Sequence, residues 1–189
     1  MSSLWNAVYE ILLGFLTTPA GATGPTVSVV KPLGSGYSTP RPPSGVVESR
    51  DIKDLHPTLQ KKYLALKQDF KTETGKDLFE TCTWRSQARQ MQLFKEGREL
   101  IGAEWVIRDR RLIKTNCDGY KKKSRHNVYP AEAVDVCVDI DPGPYKKPIW
   151  DAEFYRPLGE LCKKFRLTWG GNFGAFADYP HIELHPYDS

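Results

Sequence analysis

One short run constrains this chain more than any other: Ala133-Val134-Asp135-Val136-Cys137-Val138, a valine-rich stretch with a carboxylate in its middle. Alternation and β-branched residues predict a buried strand. Burying an ionised carboxylate costs several kcal/mol unless a positive or hydrogen-bonding partner meets it. Any fold this chain adopts must therefore bring a cation to Asp135. Nine residues earlier, the polar and turn-prone segment Ser124-Arg125-His126-Asn127 supplies an imidazole that can share that partner.

The rest of the chain has room for one ordinary domain and a tail, at 189 residues with 40% hydrophobic residues and five tryptophans. A formal charge of +4 favours anionic partners without naming one. Cys82, Cys117, Cys137 and Cys162 form no CxxC pair and no framework of the secreted type, so free thiols and synthesis in a reducing compartment are expected.

Residues 1–16 read as a short amphipathic segment. Trp5, Val8, Leu12 and Phe15 recur at helical spacing over residues 3–16, a stretch too short to span a bilayer and interrupted by Asn6 and Glu10. The first basic residue is Lys31, so a signal peptide is not expected. A docking helix for the domain or for a partner is the expectation, and a transmembrane span is not. Residues 17–50 contain six Pro, five Gly, five Ser and five Thr among 34, the composition of a flexible linker. The compact domain is expected at 51–189.

Within it, Leu59, Tyr63, Leu66 and Phe70 follow Pro57 and precede Gly75, which predicts a helix with one buried face. His56 falls at the cap of that helix. A strand at 78–84, a Ser-capped helix at 86–97, and a hairpin of 104–107 with 111–115 come next. Strand 133–138 follows, then a helix marked by Phe154, Leu158, Leu161 and Phe165, and final strands at 167–169 and 181–184. The pattern is that of a small α+β domain whose mainly antiparallel sheet is flanked by helices.

A catalytic zinc site takes three protein ligands and leaves one position open. His126, Asp135 and His181 can supply a His/Asp/His set, and Asp178, three residues before His181, can act as a proton acceptor beside it. Two rivals stand at this level. Asp135 can pair instead with Arg85 or Arg125, and His181 with His185 forms a competing HxxxH pair. Asp139 and Asp141, of the same parity as Asp135, read as solvent-side or supporting residues.

Three segments together resemble a known family. SRHNVYPAEAVDV (124–136) is similar to the SxH…AxD signature of the LAS-type zinc peptidases, the group of D-alanyl-D-alanine carboxypeptidases and phage L-alanyl-D-glutamate endolysins. WGGNFGAFADYPHIEL (169–184) resembles its WGG…DxPHxE signature, and TWRSQARQ (83–90) its TxRSxxxQ element. The resemblance covers roughly residues 51–184. It implies that His126, Asp135 and His181 bind Zn²⁺, that Asp178 is the general base, and that Arg85 holds the substrate carbonyl or carboxylate. It also places Ser124 and Gln90 near the substrate. The chain departs in having eight residues between His126 and Asp135 where many members have six, a longer loop that also looks like a phage subgroup.

Residues 108–125 carry eight basic side chains against Asp109 and Asp118. Beside an active site, such a run concentrates a polyanion such as peptidoglycan with its peptide carboxylates. The function expected from the resemblance is a zinc-dependent peptidoglycan hydrolase cutting stem peptides at the L-Ala–D-Glu bond, as phage endolysins do. Alternatives are removal of terminal D-Ala, as a carboxypeptidase or dipeptidase, and a virion-associated wall hydrolase. A basic nucleic-acid-binding protein is the non-enzymatic alternative, disfavoured because no aromatics interleave with the basic run. A monomer made in a host cytoplasm and acting on the cell wall is expected.

Overall fold

The structure, a computed structural model, describes residues 47–141, 143 and 145–188. The amphipathic helix expected at 3–16 and the linker up to residue 46 lie outside the described residues.

Helix α1 (Pro57–Thr74) begins with proline in its first turn and with the His56 ring accepting from the Thr58 N–H at 3.3 Å. It ends at Gly75, whose left-handed φ of 72° turns its N–H back onto the Lys71 carbonyl. Leu59, Tyr63, Leu66 and Phe70 are its buried stripe, at the spacing the sequence showed. Strand β1 (Asp77–Cys82) and helix α2 (Gln87–Lys95, capped by Ser86 accepting from the Arg89 N–H) follow.

Strand β2 (Arg98–Ile101) then pairs with β3 (Glu104–Ile107) in a two-stranded hairpin. This corrects the expected pairing of 104–107 with 111–115. A tight turn holding Gly102 at φ 60° joins β2 to β3, while the Asp109 carboxylate accepts from the Arg111 N–H and starts a 3₁₀ turn at Arg110–Leu112.

The main sheet is built from β4 (Ala133–Asp139), β5 (Pro148–Ile149), β6 (Leu167–Trp169) and β7 (His181–Leu184), with β1, all pairs antiparallel. Its order is β1-β4-β7-β6, and β5 pairs with the far end of β4. Helix α3 (Arg156–Phe165) precedes β6 and buries Leu158, Leu161 and Cys162. Val134, Val136 and Val138 on β4 join these side chains and the α1 stripe in one core. Asp135 has the opposite parity, so it stands on the other face of the same strand. Asp139 does not support the site: it is buried, and its Oδ1 accepts from the Asp141 and Lys147 N–H groups, closing the turn towards β5.

Residues 48–50 fall within the stretch of linker composition, yet they are bonded to the rest of the described domain. The Ser49 N–H donates to the Trp84 carbonyl and the Thr83 N–H to the Ser49 carbonyl, both at 2.8 Å, and Glu48 bridges to Arg85. Residues 48–50 thus belong to the domain that was expected from Asp51. Among the described residues, no helix is long and apolar enough to cross a membrane.

Candidate metal centre

Strand register builds the site. Cys82 on β1 pairs with Asp135 on β4, and Asp135 pairs with His181 on β7, so three side chains stand in one row across three strands. His126 joins from above on a 3₁₀ turn, Arg125–Asn127. Ser124 and Asn127 close that turn reciprocally, each side chain taking the other's backbone N–H. The His126 Nε2, Asp135 Oδ1 and His181 Nδ1 atoms form a triangle with edges of 3.1, 2.9 and 3.3 Å.

The outer atoms fix what the inner ones offer. His126 Nδ1 lies 2.6 Å from the Thr83 carbonyl oxygen and donates to it, which leaves Nε2 as a lone pair. His181 Nε2 lies 3.1 Å from the Glu183 carboxylate and donates there, which leaves Nδ1 as a lone pair. Two lone pairs and a carboxylate oxygen therefore face one another. A proton relieves one edge of that triangle; a divalent cation relieves all three. Zinc with bonds of about 2.0–2.1 Å holds tetrahedral ligands about 3.3 Å apart, close to these edges. The donor set fits the metal, with Thr83 and Glu183 as the outer partners that orient its imidazoles.

The electrostatics agree. Burial pushes the Asp135 carboxyl up, but the two imidazoles hold it well below the usual aspartate range. Burial lowers His181, and its hydrogen bonds to the Asp135 and Glu183 carboxylates more than reverse this, to about 10, so that without a metal a proton takes the place of the cation on Nδ1. The cluster draws positive charge to its centre. Cys82 lies within 4.8 Å of the His126 and Asp135 donors, as do Asp178 and His181 of Asp135. The Cys82 thiol is pushed far up by burial and keeps its proton; its 3.7 Å contact is to His126 Nδ1, the nitrogen already bound to Thr83. It backs the site. His185 belongs to neither group of donors, so the HxxxH alternative finds no support among the described residues.

Asp178 lies at the end of a loop that closes on itself: its N–H donates to the Gly170 carbonyl at 2.9 Å, and the His181 N–H donates to the Asp178 carbonyl. A Cβ on Gly170 would sit 2.4 Å from that carbonyl oxygen and 2.8 Å from the His181 Cβ, so only glycine allows this approach. The Asp178 carboxyl is pushed up by loss of solvent and then by the charge of Asp135.

Arg85 donates to Asp135 Oδ2 at 3.2 Å, so the ion-pair alternative is realised alongside the histidine cluster. Glu48 accepts from two Arg85 nitrogens at 3.3 Å and from Arg89 at 3.2 Å. Arg125 pairs with Glu132 instead. Gln90 is fully buried; its Oε1 accepts from Arg85, and its Nε2 donates to Thr115 and the Cys117 carbonyl. With each of its polar atoms engaged it braces Arg85. Ser124 does line the cleft, together with Arg85, His126, Asp135, Asp178 and His181, in a cavity of about 960 Å³.

The profile of the family described as D-alanyl-D-alanine carboxypeptidase matches residues 118–184, which hold all three donors and Asp178. The chain is 30% identical over 142 residues to the peptidoglycan L-alanyl-D-glutamate endopeptidase CwlK of Bacillus subtilis (strain 168), covering 70% of this chain and 75% of that protein. The chain belongs to the LAS-type zinc peptidase family. Among solved structures, the Serratia marcescens L-Ala D-Glu endopeptidase ChiX aligns over 72% of this chain and 85% of its own, with a TM-score of 0.46 and 19% identity.

For a LAS-type zinc peptidase, two useful residues escaped the sequence reading. Glu183 was signalled by HxE parity on a strand, which puts it on the face of His181. Glu48 carried no signal, since its neighbours are linker-like in composition.

Proposed function

We propose that the chain is a zinc-dependent peptidoglycan hydrolase that cuts stem peptides at the L-Ala–D-Glu bond. One observation carries the reading: three lone-pair donors converge within 3.3 Å of one another, with Asp178 and Arg85 beside them in the same cleft. The endopeptidase activity in the name of the Bacillus relative, 30% identical over 142 residues, supports the choice of bond.

His126, Asp135 and His181 would hold the metal. When bound, zinc supplies a fixed positive centre that acidifies water and polarises a carbonyl. Asp178 is the proton carrier. Placed beside the donor cluster, its carboxylate can accept a proton from the attacking water and return it to the amine that leaves. Arg85, held by Glu48 and Gln90, offers a guanidinium whose direction is set before substrate arrives, suited to the oxygen on which charge develops. Ser124 contributes at the rim.

Mass spectrometry of digested muropeptides, with and without chelator, tests the proposal. The expected result is a new D-Glu amino terminus that disappears when metal is removed. Free D-Ala without that terminus would replace it with the carboxypeptidase reading.

A further inference from the structure

The cleft is lined by two unlike sets of side chains, termed an apolar and a basic wall. Phe173, Ala175, Phe176 and Ala177 form one, with the Phe173 ring 5.7 Å from that of His181. The other carries Arg110, Lys114, Lys122 and Lys123, all exposed to the cleft. Among the described residues none of these four side chains meets a carboxylate, whereas Lys62, Lys67 and Lys71 on α1 each hold one within 2.7 Å.

The basic wall is fastened at its base. The Asp118 carboxylate accepts from the Tyr120 and Lys122 N–H groups at 2.8 and 2.9 Å. Gly119, at φ 82°, packs so closely on α2 that a Cβ would lie 2.9 Å from the Gln87 carbonyl oxygen. Gln90, which holds Arg85, also donates to Thr115 and Cys117 of this segment. One buried amide thus ties the wall to the site. Four like charges gathered around one cleft repel one another, and an anionic ligand relieves that repulsion.

We infer that this wall is a subsite for ionised carboxylates of the substrate. Granted the peptidase reading above, the cleft takes stem peptides whose acidic groups beside the scissile bond are free over the same peptides carrying carboxamides. The apolar lining suits the methyl groups of alanine.

The test uses two synthetic stem peptides that differ only in carboxylate against carboxamide, with zinc-loaded full-length protein. Wild type is expected to show a kcat/KM for the acid at least about tenfold above that for the amide at low salt, a ratio that shrinks as ionic strength rises. Lys114→Gln/Lys122→Gln/Lys123→Gln is expected to bring that ratio towards one. Calorimetry with the acidic and amidated cleavage products reads the same preference as affinity, independently of turnover. Equal rates on both peptides, or a ratio untouched by the triple substitution, would overturn the subsite. If wild type cuts neither peptide, the peptidase reading fails, and calorimetry alone decides: no tighter binding of the acidic product refutes the subsite. A triple variant that loses affinity for DNA and none for the acidic peptide would give the wall to nucleic acid and overturn the inference.

Discussion

Asp135 shows how a residue that is costly on its strand becomes useful in its row. It faces His126, His181 and Arg85, and each is in turn held by another group: Thr83, Glu183 and Glu48. Removing one member therefore has a consequence set by its place. His126→Ala deletes one of three donors and leaves Asp135 short of a partner, so metal content after dialysis should fall well below one per chain and the melting temperature should drop. Asp178→Asn keeps all three donors, so it should retain the metal while losing on the order of 10²–10⁴-fold in turnover. Metal analysis beside a muropeptide assay separates them; loss of metal from Asp178→Asn would make that residue a ligand. Glu183→Gln weakens the hold on His181, with a tenfold to hundredfold loss of metal affinity expected in a chelator competition.

At the scale of elements, two carboxylates of β1 hold α1: Asp77 takes Lys71, and the more deeply placed Glu80 takes two donors. Glu80 accepts from the Tyr63 hydroxyl and from Lys67 Nζ, both at 2.7 Å, with Tyr63 fully buried. Burial pushes Glu80 up, yet these two donors hold it below its ordinary value of 4.5. A lowered folded value means the stabilisation is complete above about pH 4.5 and is lost as pH falls through the folded value. Glu80→Gln should cost about 1–3 kcal/mol in urea unfolding at pH 7, with the gap to wild type closing at acidic pH. A gap that stays constant down to pH 2 would contradict this. The α1 stripe was legible in the sequence because Leu59, Tyr63, Leu66 and Phe70 obey one period. Strand β4 was legible for the same kind of reason. The hairpin was not: residues 98–101 are half charged and lack a strand signature, while 111–115 imitate one, and only Gly102 and Asp109 decide between them. Likewise Gln90 sat inside a motif, but its burial and its hold on Arg85 are not displayed by sequence.

For the whole molecule, the question is where the working domain begins. Composition put the boundary at Asp51, because proline, glycine, serine and threonine dominate up to Arg50 and such a segment buries little apolar surface. Composition is blind to a single charged residue with a fixed partner. Glu48 holds Arg85 and Arg89, and Ser49 hydrogen-bonds through its backbone to Thr83 and Trp84 and through its hydroxyl to Asp54 at 2.5 Å. A chain started at Val47 keeps all of these contacts; one started at Asp51 loses them while keeping every donor of the metal cluster. Both truncations should bind metal equally well. The Val47 chain should match full length on soluble muropeptides, and the Asp51 chain should lose roughly tenfold to a hundredfold in kcat/KM as Arg85 drifts from its position. Glu48→Ala in the full chain should reproduce much of that loss, and Glu48→Asp should restore part of it. If the Asp51 chain works as well as the other two, Arg85 is positioned by Gln90 and Asp135 alone, and the domain begins where composition put it.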